Sequence, residues 1–376
     1  MTRTQTTTGR TCAEICENIH ELLAAMGGSD GLGGGTARPV QIMEVCGTHT
    51  MAIARSGLRS LLPDGVRLIS GPGCPVCVTD QDYIDRSIAL ARRDDVTITT
   101  YGDMVRVPGR GGSLADARAD GAAVEVVYAA DRAVDIALRR PDRQVVFLAV
   151  GFETTAPGTV LALCKARDAG VENFTVLTAH KLIVPAMRHL LSAGDVPIDG
   201  FLCPGHVSVI LGWRAYQPLA AQFARPCVVA GFTPAQIAAG VEAILRRIRD
   251  GAPAAENVYP AVSAEGNRTA QAVLDETFRP APAAWRGLGE IPDSGLILRE
   301  QWGAYDASER FELPATETLG AMPELDLCRC GEVISGACRP SDCGLFARRC
   351  TPVDPVGPCM VSSEGACAAA YKYERR

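Results

Sequence analysis

Between residues 40 and 255 the chain alternates two hydrophobic patterns. Short, nearly continuous apolar runs occur at QIMEVC, VRLIS, VTITTY, VEVVYA, QVVFLAVG, FTVLTA, IDGFLC and PCVVAGF. Their β-branched content predicts strands buried on both faces. Between most of them lie stretches with helical spacing, such as DQDYIDRSIALARR, DRAVDIALRR, PGTVLALCKARDAG and TPAQIAAGVEAILRRIRDG. Strand and helix in alternation predict an α/β fold with parallel sheets. The region is too long for one short sheet. Two tandem α/β domains are expected, 40–145 and 146–255, divided near Asp142–Gly151.

The flanks differ in pattern. Residues 1–39 hold one amphipathic helix, about Thr11–Met26, and then GGSDGLGGGTARP, which reads as a flexible linker. From residue 256 to 376 strands become sparse, and from Pro323 onward the chain is irregular and rich in cysteine. That last part is expected to form a small third domain. It cannot bury much apolar surface alone and needs a staple, for which metal is the natural choice.

Composition adds exclusions. Of 376 residues, 47% are hydrophobic, 21% charged and 5% aromatic, so the cores lean on Ala, Val, Leu and Ile. The net charge is −6 and no basic run is present, which argues against a nucleic-acid partner. No apolar run has the length of a membrane span, and MTRTQTTTGRTC lacks a signal peptide's apolar core. A cytoplasmic protein is expected, and in that reducing compartment 15 cysteines point to metal binding or redox work rather than structural disulfides.

Seven cysteines fall in the final fifty residues: Cys328, Cys330, Cys338, Cys343, Cys350, Cys359 and Cys367. Iron–sulfur clusters need four soft thiolates, which Gly- and Pro-rich loops can wrap into place. Zinc accepts the same ligands, but structural zinc sites usually bring tight C-x-x-C knuckles, and this tail has none. The wide spacing of Cys328, Cys343, Cys350 and Cys367 suits a cluster better. Cys330 and Cys359 each lie near an expected ligand, so a dithiol beside the cluster is a second use for the surplus.

Two further thiol motifs close predicted strands. VCGTHT places Cys46, Thr48 and His49 after the first, and SGPGCPVC places Cys74 and Cys77 after the second. In open parallel sheets ligands bind beyond the carboxyl ends of strands, so both motifs should face one crevice. Helix N-termini there should lower thiol pKa, and His49, three residues from Cys46, should share its site. Gly71, Pro72 and Gly73 make a loop poor in side chains that lets a bulky partner approach the sulfurs. The bland alternatives are a buried strand-end cysteine at Cys46 and a partial zinc knuckle at Cys74 and Cys77. Three thiols and an imidazole at neighbouring strand ends outweigh both. Two other strand-to-helix turns, with Glu153 and Thr154 in GFETT and His206 in PGHVS, are candidates for the same crevice. There is no Walker A sequence, and GRGGS at 109–113 reads as a turn.

EVCGTHTMAIARSGLRSLLP, LISGPGCPVCVT, GFETTAP, PGHVSVI and CGEVISGACRPSDC…CTPVDPVGPCMVSSEGACAAAYKY run in order and resemble the HypD family of hydrogenase maturation proteins. The resemblance implies assembly of the Fe(CN)2CO unit of [NiFe]-hydrogenases. It implies an iron precursor held between this chain and the small chaperone HypC, with HypE bringing cyanide as a thiocarboxamide. It implies a [4Fe-4S] cluster with the spacing C-x14-C-x6-C-x16-C, which selects Cys328, Cys343, Cys350 and Cys367. It places the iron-site thiols at Cys46, Cys74 and Cys77, and a redox pair at Cys330 and Cys359, in surroundings similar to ferredoxin:thioredoxin reductase. Cys12, Cys16, Cys164, Cys227 and Cys338 fall outside these motifs.

Three readings follow: a redox-active maturation scaffold, a stand-alone thiol oxidoreductase of the ferredoxin:thioredoxin reductase type, and a metabolic α/β protein with a structural zinc tail. Metal analysis separates the last from the others. The purified protein is expected to be brown, with iron and acid-labile sulfide; a colourless, zinc-loaded protein would support the zinc tail.

Overall fold

The computed structural model describes residues 9–26, 38–313 and 323–374. The glycine-rich stretch read as a linker falls mostly at 27–37, outside the described residues. Nine strands carry the α/β part: β1 (Val40–Glu44), β2 (Val66–Ser70), β3 (Val96–Thr100), β4 (Ala123–Val126), β5 (Gln144–Gly151), β6 (Phe174–His180), β7 (Gly200–Pro204), β8 (Cys227–Ala230) and β9 (Ala255–Asn257). They form two sheets, ordered β2-β1-β7-β8-β9 and β4-β3-β5-β6. Every pairing within both is parallel. The α/β class and its parallel sheets are therefore as the hydrophobic pattern predicts. Strands β3 and β8 are buried at every position, as a sheet covered on both faces requires.

The allocation of strands departs from the expected cut at 145/146. The chain lays down β1 and β2, leaves to build all of the second sheet from β3 to β6, and returns to the first with β7, β8 and β9. Strand β7 pairs with the free side of β1, with Ile42 opposite Gly200 and Met43 opposite Phe201. Local apolar runs show where strands are; they do not show which open edge a later strand will join. The first sheet thus combines residues 40–70 with 200–257, and the second spans 96–180.

Helices seal the first sheet. The helix Pro234–Arg249 turns Ile237, Val241, Ile244 and Leu245 inward. The N-terminal helix Cys12–Ala25, with a capping box at Thr11 and Glu14, lays Ile15, Cys16, Ile19 and Leu23 on that core. Arg10 clamps Glu242 at 2.7 Å and ties the two helices together. None of the described helices is long and apolar enough to cross a membrane.

After residue 256 strands are not sparse. A two-stranded antiparallel ribbon, β10 (Phe278–Trp285) and β11 (Gly289–Leu298), covers the second sheet and places Phe278, Leu296 and Leu298 in its core. It reads poorly as a strand pair because Pro280, Pro282 and Pro292 interrupt its pattern. The irregular cysteine-rich part is therefore only Pro323 onward. It does not hang from the molecule: Val333, Ile334, Met360 and Cys359 belong to the same continuous core as Met43 and Ile69 of the first sheet and Val146 of the second.

The ribbon's turn meets the cysteine-rich part backbone to backbone. Gly287 has φ +75°, and a Cβ there would lie 2.2 Å from the Cα of Gly331. Gly289 has the same φ with open space around it. Gly287→Ala is expected to cost about 3 kcal/mol, combining left-handed strain with overpacking, and Gly289→Ala only about 1 kcal/mol. Urea denaturation checks this, and equal losses at the two positions would contradict it.

Candidate thiol and metal site

The two strand-end motifs meet as parallel-sheet geometry predicts. Cys46 caps the helix Gly47–Ser56 at the end of β1, and Cys74 caps the short helix Pro75–Val78 beyond β2. Gly73 makes the contact: its carbonyl accepts from the Gly47 N–H at 2.9 Å, and a Cβ on it would lie 2.2 Å from the Cys46 nitrogen. The glycine-rich loop thus leaves room for the neighbouring turn of this same chain.

Cys46 is only 7% exposed. Burial pushes its thiol up to about 11, against the opposing pull of the His49 and Thr48 amides at the helix start. This overturns the expectation of a lowered pKa: desolvation outweighs the helix N-terminus. Cys74 and Cys77 are joined by a disulfide with Cα atoms 5.2 Å apart. Both are buried, and the Cys77 sulfur lies 3.9 Å from the Pro358 carbonyl of the cysteine-rich part.

The His49 ring is committed elsewhere. Its Nε2 donates to the Gly231 carbonyl at 3.0 Å, and the ring packs on Phe232 with centroids 5.0 Å apart. Burial lowers its pKa to about 4, so it is neutral, and its Nδ1 has no hydrogen-bond partner. His206 is exposed and stacks on the same Phe232 at 4.0 Å. The two histidines therefore share one aromatic side chain at the carboxyl edge of the first sheet.

Thr48 donates from Oγ1 to Glu364 Oε1 at 2.5 Å. Thr154 lines a cavity of about 1030 Å³ beyond the ends of β3, β4 and β5, with Tyr101, Asp103, Tyr128 and Glu364. Its neighbour Glu153 does not face that space. It is 2% exposed, and its Oε1 accepts the Ile183 N–H at 2.9 Å, capping the helix Ile183–Ala193.

In the cysteine-rich part, Cys328, Cys330, Cys343, Cys350, Cys359 and Cys367 line one cavity. Cys338 is not among them; it faces a groove along β2. The Cys330 and Cys359 sulfurs lie 2.7 Å apart, within hydrogen-bond reach. Contacts from the Cys328 and Cys359 thiols, helped by Arg286, hold Cys330 well below the usual thiol range, while its partners Cys328 and Cys359 are pushed up. A second cavity joins this part to the sheet edge: Cys74, Cys77, Gly47 and Glu364 line it together with Cys359. Cys359 is thus a wall of both cavities.

A model of the family described as "Hydrogenase formation hypA family" (HypD) matches residues 15–374. The chain belongs to the HypD family. It is 46% identical over 351 residues to the hydrogenase maturation factor HypD of Cupriavidus necator, covering 90% of this chain and 92% of that protein. Identity is 46% over 348 residues to HypD of Rhizobium leguminosarum, covering 90% and 89%. It is 43% over 341 residues to HypD of Escherichia coli, covering 90% of each chain.

For a HypD-family chain the donor set of the tail cavity is the relevant fit. Six thiols with otherwise mostly apolar walls suit soft iron in a cluster. Among the described residues, no three His, Cys, Asp or Glu side chains converge on a single point as ligands of one ion. A cluster instead takes one thiolate at each of several irons. Glu364 and Arg286 were not singled out by motif reading. Glu364 sits in SSEGAC with only its nearness to Cys367 as a signal, and Arg286 acts through a fold contact that no local pattern shows.

Glu153 carries a measurable consequence. Burial raises its pKa to about 7 from 4.5. The folded state thus binds the proton more tightly than the unfolded chain. That stabilisation is complete below pH 4.5 and is lost as pH rises through about 7. Glu153→Gln, which stays neutral and keeps an acceptor for Ile183, is expected to be more stable than wild type at about pH 8, by about 3 kcal/mol. The gap should fall below about 1 kcal/mol at about pH 5 and close at about pH 4. Parallel pH profiles for the two proteins would contradict this.

Proposed function

We propose that this chain is a redox-active scaffold on which the Fe(CN)2CO unit of [NiFe]-hydrogenase is assembled. The iron is the cargo, held between this chain and a HypC-type chaperone, with HypE delivering cyanide. The work takes place in the cytoplasm, where a reducing poise suits so many free thiols. The observation that carries the reading is the placement of Cys359, which borders both the cavity of Cys74 and Cys77 and the cavity of the tail cysteines.

The residues divide the labour. Cys46 offers a thiolate to the cargo iron, a soft ligand for low-spin iron bearing cyanide and CO. His49, neutral and bonded to Gly231, fixes the turn that carries Cys46. Cys330 and Cys359 exchange with the Cys74–Cys77 disulfide. Cys330, the stronger acid of the pair and so held as the thiolate, takes the Cys359 proton; the Cys359 thiolate then attacks Cys77 and expels Cys74, and Cys330 closes on Cys359 and releases Cys77. Two electrons pass, the freed Cys74 and Cys77 thiolates take up protons, and one disulfide replaces the other. A [4Fe-4S] cluster held by Cys328, Cys343, Cys350 and Cys367 would supply one-electron chemistry to the Cys330–Cys359 pair when bound.

The disulfide at Cys74 and Cys77 also favours a second reading, a thiol oxidoreductase of the ferredoxin:thioredoxin reductase type acting without HypC. One experiment addresses both. Coexpressed with HypC and HypE, the wild-type complex should show cyanide and CO infrared bands, and Cys46→Ala should lose them. Undiminished bands in the variant would remove Cys46 from the iron site. Disulfide turnover with generic substrates, together with no bands in the wild type, would favour the oxidoreductase.

A further inference from the structure

Polar contacts cross the three packed parts of the molecule in one line. Asp103, just beyond β3, accepts from Ser362 Oγ at 2.8 Å. Ser362 Oγ accepts the Glu364 N–H at 3.3 Å, and Glu364 Oε1 accepts from Thr48 Oγ1 at 2.5 Å. The line thus runs from the second sheet, through the loop between Cys359 and Cys367, to the turn that carries Cys46.

Glu364 also presses on that turn sterically. A Cβ at position 47 would lie 2.6 Å from the Glu364 Cβ and 2.9 Å from its carbonyl oxygen. Its side chain borders two spaces. One is the small cavity of Cys74, Cys77 and Cys359; the other is the cavity of about 1030 Å³ beyond the second sheet. Glu364 therefore lines both the small cavity of the buried sulfurs and the large outer cavity. Cys46 is buried close to Glu364, near enough to feel its carboxyl group.

We propose that Glu364 is a positioning residue for Cys46: through its bond to Thr48 it holds the CGTHT turn closed, and release of that bond presents the thiol toward the outer cavity. The idea rests on the assignment of Cys46 to the reaction, but the latch itself is a property of the chain alone. A side-chain acceptor bonded to a hydroxyl and seated on a backbone without a side chain is a contact that can break locally while the sheet stays intact. The loop bearing Glu364 leads into Cys367 and follows Cys359, so any shift there reaches the Cys46 turn directly.

The test is the rate at which iodoacetamide alkylates Cys46 in the full chain, read by peptide mass spectrometry against Cys12, a partly exposed thiol on the N-terminal helix. Losing the latch should raise the open population, so Glu364→Ala and Thr48→Val should each label Cys46 about tenfold faster relative to Cys12. Glu364→Gln and Thr48→Ser keep the hydrogen bond and should stay within about threefold of wild type. The double variant Thr48→Val with Glu364→Ala should label no faster than either single one, because both remove the same bond. Labelling in Glu364→Ala equal to wild type, or in Glu364→Gln equal to Glu364→Ala, would overturn the latch. A general loosening would accelerate Cys12 as well and would also overturn it. The latch and the scaffold reading fail separately. Unchanged labelling in Glu364→Ala with infrared bands lost in Cys46→Ala refutes only the latch. Faster labelling with bands retained in Cys46→Ala supports the latch and refutes the role of Cys46.

Discussion

The packing of the cysteine-rich tail onto the carboxyl edge of the five-stranded sheet is the constraint on which the rest depends. That edge is two turns deep: the Gly73 loop sits on the Cys46 turn, and the tail closes over both. The tail reaches the sulfurs of this edge, Cys46, Cys74 and Cys77, through Pro358 beside Cys77 and Glu364 against Gly47. All three are buried, and burial sets their chemistry. It raises the Cys46 thiol to about 11, where a helix start alone would have lowered it. In return the tail, which has little apolar surface of its own, shares the core of the sheets through Val333, Ile334 and Met360.

The same packing keeps most of the chain's sulfurs as free thiols beside the one Cys74–Cys77 disulfide of the described residues. The sulfurs fall into two groups: the tail cavity holds six thiols, the sheet edge holds the Cys46 thiol and the Cys74–Cys77 disulfide, and Cys359 borders both cavities. Cys203 and Cys227, which lie on adjacent central strands, are fully buried and close enough for their thiols to interact; Cys203 directly precedes the PGHVS turn. The closeness of the two groups is what the electron transfer proposed between them requires.

Much of this was legible in the sequence, for physical reasons. Continuous β-branched runs mark strands buried on both faces, and parallel sheets put their carboxyl ends on one side, so the meeting of CGTHT with GPGCPVC followed from pattern alone. Three things did not follow. The interleaving of the sheets was hidden because β7 joins β1 across more than 150 residues, and apolar runs carry no record of partners. The purpose of Gly73 was misread because the group it admits is the Cys46 backbone, a contact between two turns. Glu364 went unnoticed because it meets Thr48 across a separation of 316 residues. His49 shows the limit of spacing arguments: three residues from Cys46 in sequence, its ring is bonded to Gly231.

The central claim is that this chain holds a resident cluster in its tail and a separate cargo iron at Cys46. Mössbauer spectroscopy of the chain coexpressed with HypC and HypE, labelled with iron-57, tests it most directly. The account predicts two signals, one from cluster iron and one from a low-spin iron, with areas of about four to one. Loss of the smaller signal alone in Cys46→Ala would place that iron at the sheet edge. A single signal in the wild-type complex, or loss of both signals together in the variant, would contradict the account.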